Sequence, residues 1–95
     1  MDVLFLVSHV ESTPLLTALL DACKRRGIDY GCFFTGAAAA LVKDPDIGRS
    51  LADASCVIVC EYSWERFGKG DCPFAIGSQT DNSALASAAL HVVSL

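Results

Sequence analysis

The sequence predicts a small α/β domain built on a parallel sheet with helices on both faces. Three observations predict it. Apolar runs of strand length recur along the chain, separated by stretches with helical spacing or helix-capping residues. Those runs are nearly continuous rather than alternating, as in strands buried on both faces. Strand–helix alternation persists from end to end, and parallel strands need such crossovers. At 95 residues, one domain over 1–95 with four to five short strands is expected.

Asp2 to Ser8 reads as the first buried strand, and His9 to Ser12 as a polar loop. Thr13 is placed to cap a helix, with Pro14 at the first helical position. Leu15, Leu16, Leu19, Leu20 and Cys23 recur at helical spacing, and Gly27 suits the position after the helix end. Ile28 to Phe34 is the second strand. Thr35-Gly36 turns it into a short helical stretch, Ala37 to Val42. Asp44-Pro45 restarts a helix that runs to about Ala54. Ser55 to Cys60 is the third strand. Glu61 to Asp71 reads as irregular and Pro73 to Ile76 as a short fourth strand. Gly77 to Asn82 is a turn rich in capping types, Ser83 to Ala89 a helix and His91 to Leu95 the last strand.

Composition narrows the function classes. Hydrophobic residues make up 53% of the chain and charged ones 19%, against roughly 25% charged in typical domains. A doubly buried sheet and a subunit interface both account for the excess, so a homo-oligomer is expected. The net charge of −4 argues against nucleic acid, which selects basic surfaces. The one basic cluster, Lys24-Arg25-Arg26, falls at a helix end, where cations complement the dipole. The apolar start stops within one strand length, carries Asp2 where a signal peptide would be basic, and no stretch is long enough to cross a bilayer. A cytoplasmic protein with no membrane partner is expected. Its five cysteines are then expected as thiols.

In open parallel sheets, ligands bind at the carboxyl ends of the strands. Those ends carry Ser8-His9, Thr35-Gly36, Cys60-Glu61 and Gly77-Ser78. Cys60 is the only strong nucleophile among them. Cys23, Cys32 and Cys56 fall on a helix face or within strands, where thiols act as small hydrophobes. Cys72 lies in a glycine-bearing loop and is the candidate second thiol. No metal or other cofactor is expected: there is no C-x-x-C pair, and Cys56 and Cys60 lie roughly 13 Å apart along one strand. Gly68-Lys69-Gly70 is only a fragment of a phosphate-binding loop.

The segment Cys60-Glu61-Tyr62-Ser63-Trp64-Glu65-Arg66-Phe67-Gly68 resembles the DsrE/DsrF/TusD-like sulfur-relay family, in which a strand-closing cysteine precedes a short helical stretch and a glycine turn. Phe33-Phe34-Thr35-Gly36 is similar to the family's strand and turn after the first helix. Ile76-Gly77-Ser78 with Leu85 to Leu95 is similar to its closing turn, helix and strand. The resemblance implies a three-layer α/β/α, flavodoxin-like fold and an oligomer. It also implies that Cys60 carries sulfur as a persulfide, exchanged with a small TusA-like carrier protein.

On that reading the Cys60 thiolate takes sulfane sulfur from a donor and passes it on. The following helix start, Arg66 and Lys69 are expected to favour the thiolate, and Glu61 to oppose it unless it points away. His9, Thr35, Gly36, Arg66, Gly68 and Ser78 are the candidate binding residues. If the first and third strands are neighbours, His9 meets Cys60; if the second lies between them, Thr35 and Gly36 do. Trp64 and Phe67 are expected to fill core or interface. Two other readings remain: a non-catalytic module binding an anion or partner through Ser8, Thr35, Ser78 and Thr80, and a thiol peroxidase using a Cys60–Cys72 pair.

Overall fold

In a computed structural model that describes residues 1–95, five strands form one parallel sheet in the order β4-β3-β2-β1-β5. The strands are β1 (Val3–Val7), β2 (Tyr30–Phe34), β3 (Cys56–Cys60), β4 (Ala75–Gly77) and β5 (His91–Ser94). The helices are α1 (Thr13–Arg26), α2 (Pro45–Leu51), α3 (Glu61–Phe67) and α4 (Gln79–Ala88), with 3-10 turns over Val10–Ser12 and Gly36–Lys43. The architecture is the three-layer α/β/α, flavodoxin-like one. Within it the sheet grows in one direction from β1 to β4 and then returns, so that β5 pairs with β1. That return puts the topological switch point between β1 and β5.

The register explains the layers. Phe5, Cys32 and Val57 are aligned, as are Val7, Phe34 and Val59. Their side chains share one face because aligned residues of parallel neighbours point the same way. That face meets Leu16, Leu20 and Cys23 of α1, Ala38, Ala39 and Val42 of the 3-10 segment, and Ile47 and Leu51 of α2 in one core. Leu4 and Phe33 point to the other face and are also fully buried. The helix on that side is α4, none of whose residues is itself buried. One face is therefore thickly covered and the other thinly. Val92, on the thin side, and Leu90, ahead of β5, remain 44% and 75% exposed.

Several boundaries differ from the sequence reading. Ser12, not Thr13, holds the N-cap position of α1, with no side-chain capping bond; Thr13 begins the helix and its hydroxyl donates to the Val10 carbonyl. Gly27 closes α1 with φ of 66°, a left-handed backbone that glycine adopts without a Cβ penalty. Asp44 caps α2 as expected, accepting from the Asp46 and Ile47 amides, but α2 stops at Leu51. The largest correction is Glu61 to Asp71, read as irregular: its first seven residues are α3. Its apolar signal is Tyr62, Trp64 and Phe67 over two turns, too short for periodicity to register. Helix α4 begins at Gln79 rather than Ser83, because Ser78 and Asp81 form a reciprocal capping box ahead of it. Strand β4 correspondingly extends to Gly77.

The chain after α3 is fixed by Trp64. Its indole N–H donates to the Gly70 carbonyl at 3.1 Å. Its ring lies where a side chain on Gly68 would go: a Cβ there would stand 2.2 Å from the indole. Gly68→Ala is therefore expected to displace the ring, break the Gly70 bond and cost about 1–3 kcal/mol. Trp64 is the only tryptophan, so its emission reports the displacement directly, alongside a lowered urea midpoint.

Candidate functional site

Cys60 is the last residue of β3 and the N-cap of α3. Its placement follows from the apolar run Cys56-Val57-Ile58-Val59, which anchors β3 between β2 and β4. At this edge β2 lies between β1 and β3, so Thr35 and Gly36 approach Cys60 and His9 does not. The imidazole Nδ1 of His9 instead lies 3.1 Å from the Ser8 hydroxyl and 3.4 Å from the Leu95 carbonyl. It belongs to the β1–β5 switch point: of the two arrangements the sequence left open, the strand order is the one with β2 between β1 and β3, so His9 stands apart from Cys60.

The site centres on Ser63, a buried residue of α3. Its hydroxyl accepts the Gly36 N–H at 2.7 Å and lies 3.4 Å from the Thr35 hydroxyl. Gly36 offers its N–H there with a left-handed φ of 62°. The same Ser63 hydroxyl is on the side of the Cys60 thiol and acts to lower it. On the other side, the Gln79 side-chain amide, at the start of α4, donates to Cys60 Sγ at 3.8 Å. The end of β2 is thus tied to α3 through Ser63, and the start of α4 reaches the Cys60 sulfur through Gln79.

The electrostatics follow from those bonds. Burial, with Cys60 only 4% exposed, pushes its thiol up. The Ser63 hydroxyl, the Ser63 and Tyr62 amides and the Gln79 amide pull it down, and the donors prevail, leaving it below the ordinary value of 9.0. A thiolate gains from each donor, whereas a neutral thiol gains little. Arg66 and Lys69, expected to supply this effect as cations, have no part in it. Arg66 stacks over the Phe67 ring at 5.4 Å, and Glu61 is exposed.

The remaining cysteines differ in kind. Cys32 is completely buried; desolvation, reinforced by Cys23 and Cys56, pushes its thiol up to about 12. Cys23 is raised by burial and then by Asp2. All five cysteines are unpaired. Cys72 packs against the core on the α1–α3 side, whereas Cys60 shares the opposite face of β3 with Ile58. The two are not drawn together. No group of histidines, cysteines or carboxylates is arranged to hold a metal ion.

The other predicted residues find distinct places. The Ser78 hydroxyl accepts the Thr80 N–H at 3.2 Å, and Asp81 accepts from Ser78 N–H at 2.7 Å. Ser78 thus builds the α4 start that presents Gln79, and is not itself directed at Cys60. Gly68 and Phe67 line a cavity of about 370 Å³ with Ala40, Lys43 and Lys69, beyond the far end of α3. Trp64 packs against the core. Sequence reasoning missed Gln79, which bonds the sulfur, and Ser63, which ties α3 to the end of β2. The signal for Ser63 was its place three residues after Cys60, at the third position of the helix that the resemblance implied but the local pattern did not show.

The titration behaviour gives a stability prediction. Burial first, then Asp53 and the neighbouring thiols, also raises Tyr30 to about 12. In the native state Tyr30 and Cys32 keep protons that the unfolded chain releases above 10.0 and 9.0. The native state then binds more protons, so stability must fall as pH rises from about 9 to about 12. Cys60 acts oppositely, adding stability as pH rises through its lowered value towards 9.0. Urea midpoints are expected to peak near pH 9 and decline beyond it. Replacing Cys32 with Ala is expected to lower the peak yet shallow the decline; an unchanged slope would contradict the assignment.

No helix is long and apolar enough to cross a membrane. Comparison with known protein families, with curated proteins and with solved structures finds no match to this chain.

Proposed function

We propose that this chain is a sulfur carrier in which Cys60 holds sulfane sulfur as a persulfide. The observation that carries the reading is Cys60 at the end of β3 and the head of α3, with the Gln79 amide donating to its Sγ at 3.8 Å, a contact that favours the thiolate. The thiolate is the nucleophilic form of cysteine. The likeness of Cys60 to Gly68 to the DsrE-like sulfur-relay segment supports the same role, and the α3 helix after Cys60 suits it.

In the loading step the Cys60 thiolate attacks the outer sulfur of a donor persulfide, R–S–SH. The new Cys60 S–S bond forms as the donor's S–S bond breaks. The donor leaves as R–S⁻, and the proton stays on the transferred sulfur. In the unloading step a thiolate of a small TusA-like carrier attacks that outer sulfur and restores the Cys60 thiolate. No net oxidation occurs. The same donors that stabilise the thiolate before loading stabilise it as the leaving group during unloading. Self-association is part of the proposal, supported by the apolar exposure at Leu90 and Val92 beside the thinly covered sheet face.

Incubation with a low-molecular-weight persulfide, followed by mass spectrometry, is expected to find one extra sulfur atom on Cys60 and none after Cys60→Ser. An adduct that persists in the Ser variant, or that never forms, refutes the reading. The second reading, a non-catalytic binding module on the same fold, has one observation in its favour: Cys60 is only 4% exposed. An unlabelled Cys60 in the folded protein would decide for it.

A further inference from the structure

Gln79 meets the sulfur of Cys60 through a carboxamide, which can present either of two opposite chemistries. With its NH2 towards Sγ it donates and favours the thiolate. With its oxygen towards Sγ it accepts from the S–H and favours the thiol. The first arrangement is the one present. Three residues along α4, Asn82 Nδ2 donates to Gln79 Oε1 at 3.3 Å. That bond occupies the Gln79 oxygen and holds the NH2 towards the sulfur.

Asn82 does this at a cost. Its own Oδ1 is buried, and it is the one buried side-chain nitrogen or oxygen in the protein with no hydrogen-bond partner. A buried acceptor left unpaired destabilises by about 1–3 kcal/mol. Asparagine is also a poorer helix former than alanine. Neither the helix nor the core gains from an asparagine here, so its one favourable contact, the bond to Gln79, is what it contributes.

We propose that Asn82 is a positioning residue for Cys60, acting through Gln79 to set which end of the carboxamide faces the sulfur. The proposal rests on Cys60 being the reacting thiol, and it adds a residue two contacts away. It explains the orphaned Oδ1 as the consequence of directing Nδ2 at Gln79. It is also consistent with Gln79 being among the groups that lower the Cys60 thiol. Of the nearest acids, Glu61 is exposed and Asp81 is engaged by Ser78.

The test is a double-substitution cycle on the full chain, read by the pH dependence of Cys60 alkylation and by urea midpoint. Asn82→Ala is expected to slow alkylation at neutral pH by about three- to tenfold, the worth of one hydrogen bond. It is also expected to move the pH midpoint up while leaving the urea midpoint equal or higher. Gln79→Ala is expected to slow alkylation at least as much. Adding Asn82→Ala to Gln79→Ala is expected to change nothing further, because the two act in series. Asn82→Gln, which keeps a donor, is expected to recover part of the rate. Equal slowing by Asn82→Ala with and without Gln79, or an unmoved pH midpoint, overturns the proposal. If the cycle shows coupling but no sulfur is taken from a persulfide, the carrier reading falls and the positioning role of Asn82 stands. If Cys60 does not react in the folded protein at any pH, both fall.

Discussion

Phe33→Ala is expected to remove about 3–5 kcal/mol of stability, the range for truncating a buried phenylalanine. Whole domains of this kind are stable by only about 5–15 kcal/mol, so the loss is a large part of the total. Phe33 is fully buried, yet it lies outside the core shared with α1 and α2. It faces the thin layer, where α4 is the covering helix. The side chains aligned with it, Leu6 and Ile58, are only partly covered, so little else can close the cavity. The damage should therefore reach the site. A loosened α4 withdraws Gln79 from Cys60, and Cys60 alkylation at neutral pH should slow along with the fall in urea midpoint. Phe33→Leu, which keeps most of the volume, should cost much less on both measures. Equal effects from the two variants would mean that α4 does not depend on this packing.

Ser63→Ala is expected to act on stability and reactivity together. It leaves the Gly36 N–H without its 2.7 Å acceptor, a loss of about 1–3 kcal/mol for a donor shielded from water. It also removes a hydroxyl that holds the Cys60 thiol down, so the thiol should return towards 9.0. Calorimetry or urea unfolding reads the first effect, and the alkylation profile of Cys60 reads the second. A reactivity profile that does not move after Ser63→Ala would mean that the thiol takes its character from elsewhere. The contrast with Asn82→Ala is informative. Both substitutions should slow Cys60, but only Ser63→Ala should destabilise, because Ser63 ties α3 to the turn after β2 while Asn82 carries an unpaired oxygen.

The alternation of apolar runs and capped helical segments made the layered fold legible from residues alone. Cys56-Val57-Ile58-Val59-Cys60 has the apolar continuity that a doubly covered parallel strand requires. Asp44-Pro45 announced its helix through the chemistry of the cap, and Gly27 announced an end because a left-handed residue was needed there. Where signals were shorter than one or two turns, as in Glu61–Phe67, local pattern could not separate helix from loop. At Ser78–Asp81 the capping residues were visible, but the reciprocal bonding that starts the helix was not.

By itself, then, the sequence determined an α/β chain with parallel strands and placed Cys60 at the edge where such sheets bind ligands. Both follow from local physics: burial period, cap chemistry and the direction of crossovers. Only the tertiary structure decided which residues stand around that thiol. Placing β2 between β1 and β3 removed His9 from the site and brought in Gly36, through Ser63. Bringing β4 alongside β3 delivered the start of α4, and with it Gln79 and Asn82. Those contacts join residues 19 to 28 positions apart in the chain, and strand order is set by the balance of burial over the whole sheet. No local pattern carries that information, so Cys60 could be singled out from sequence while its partners could not.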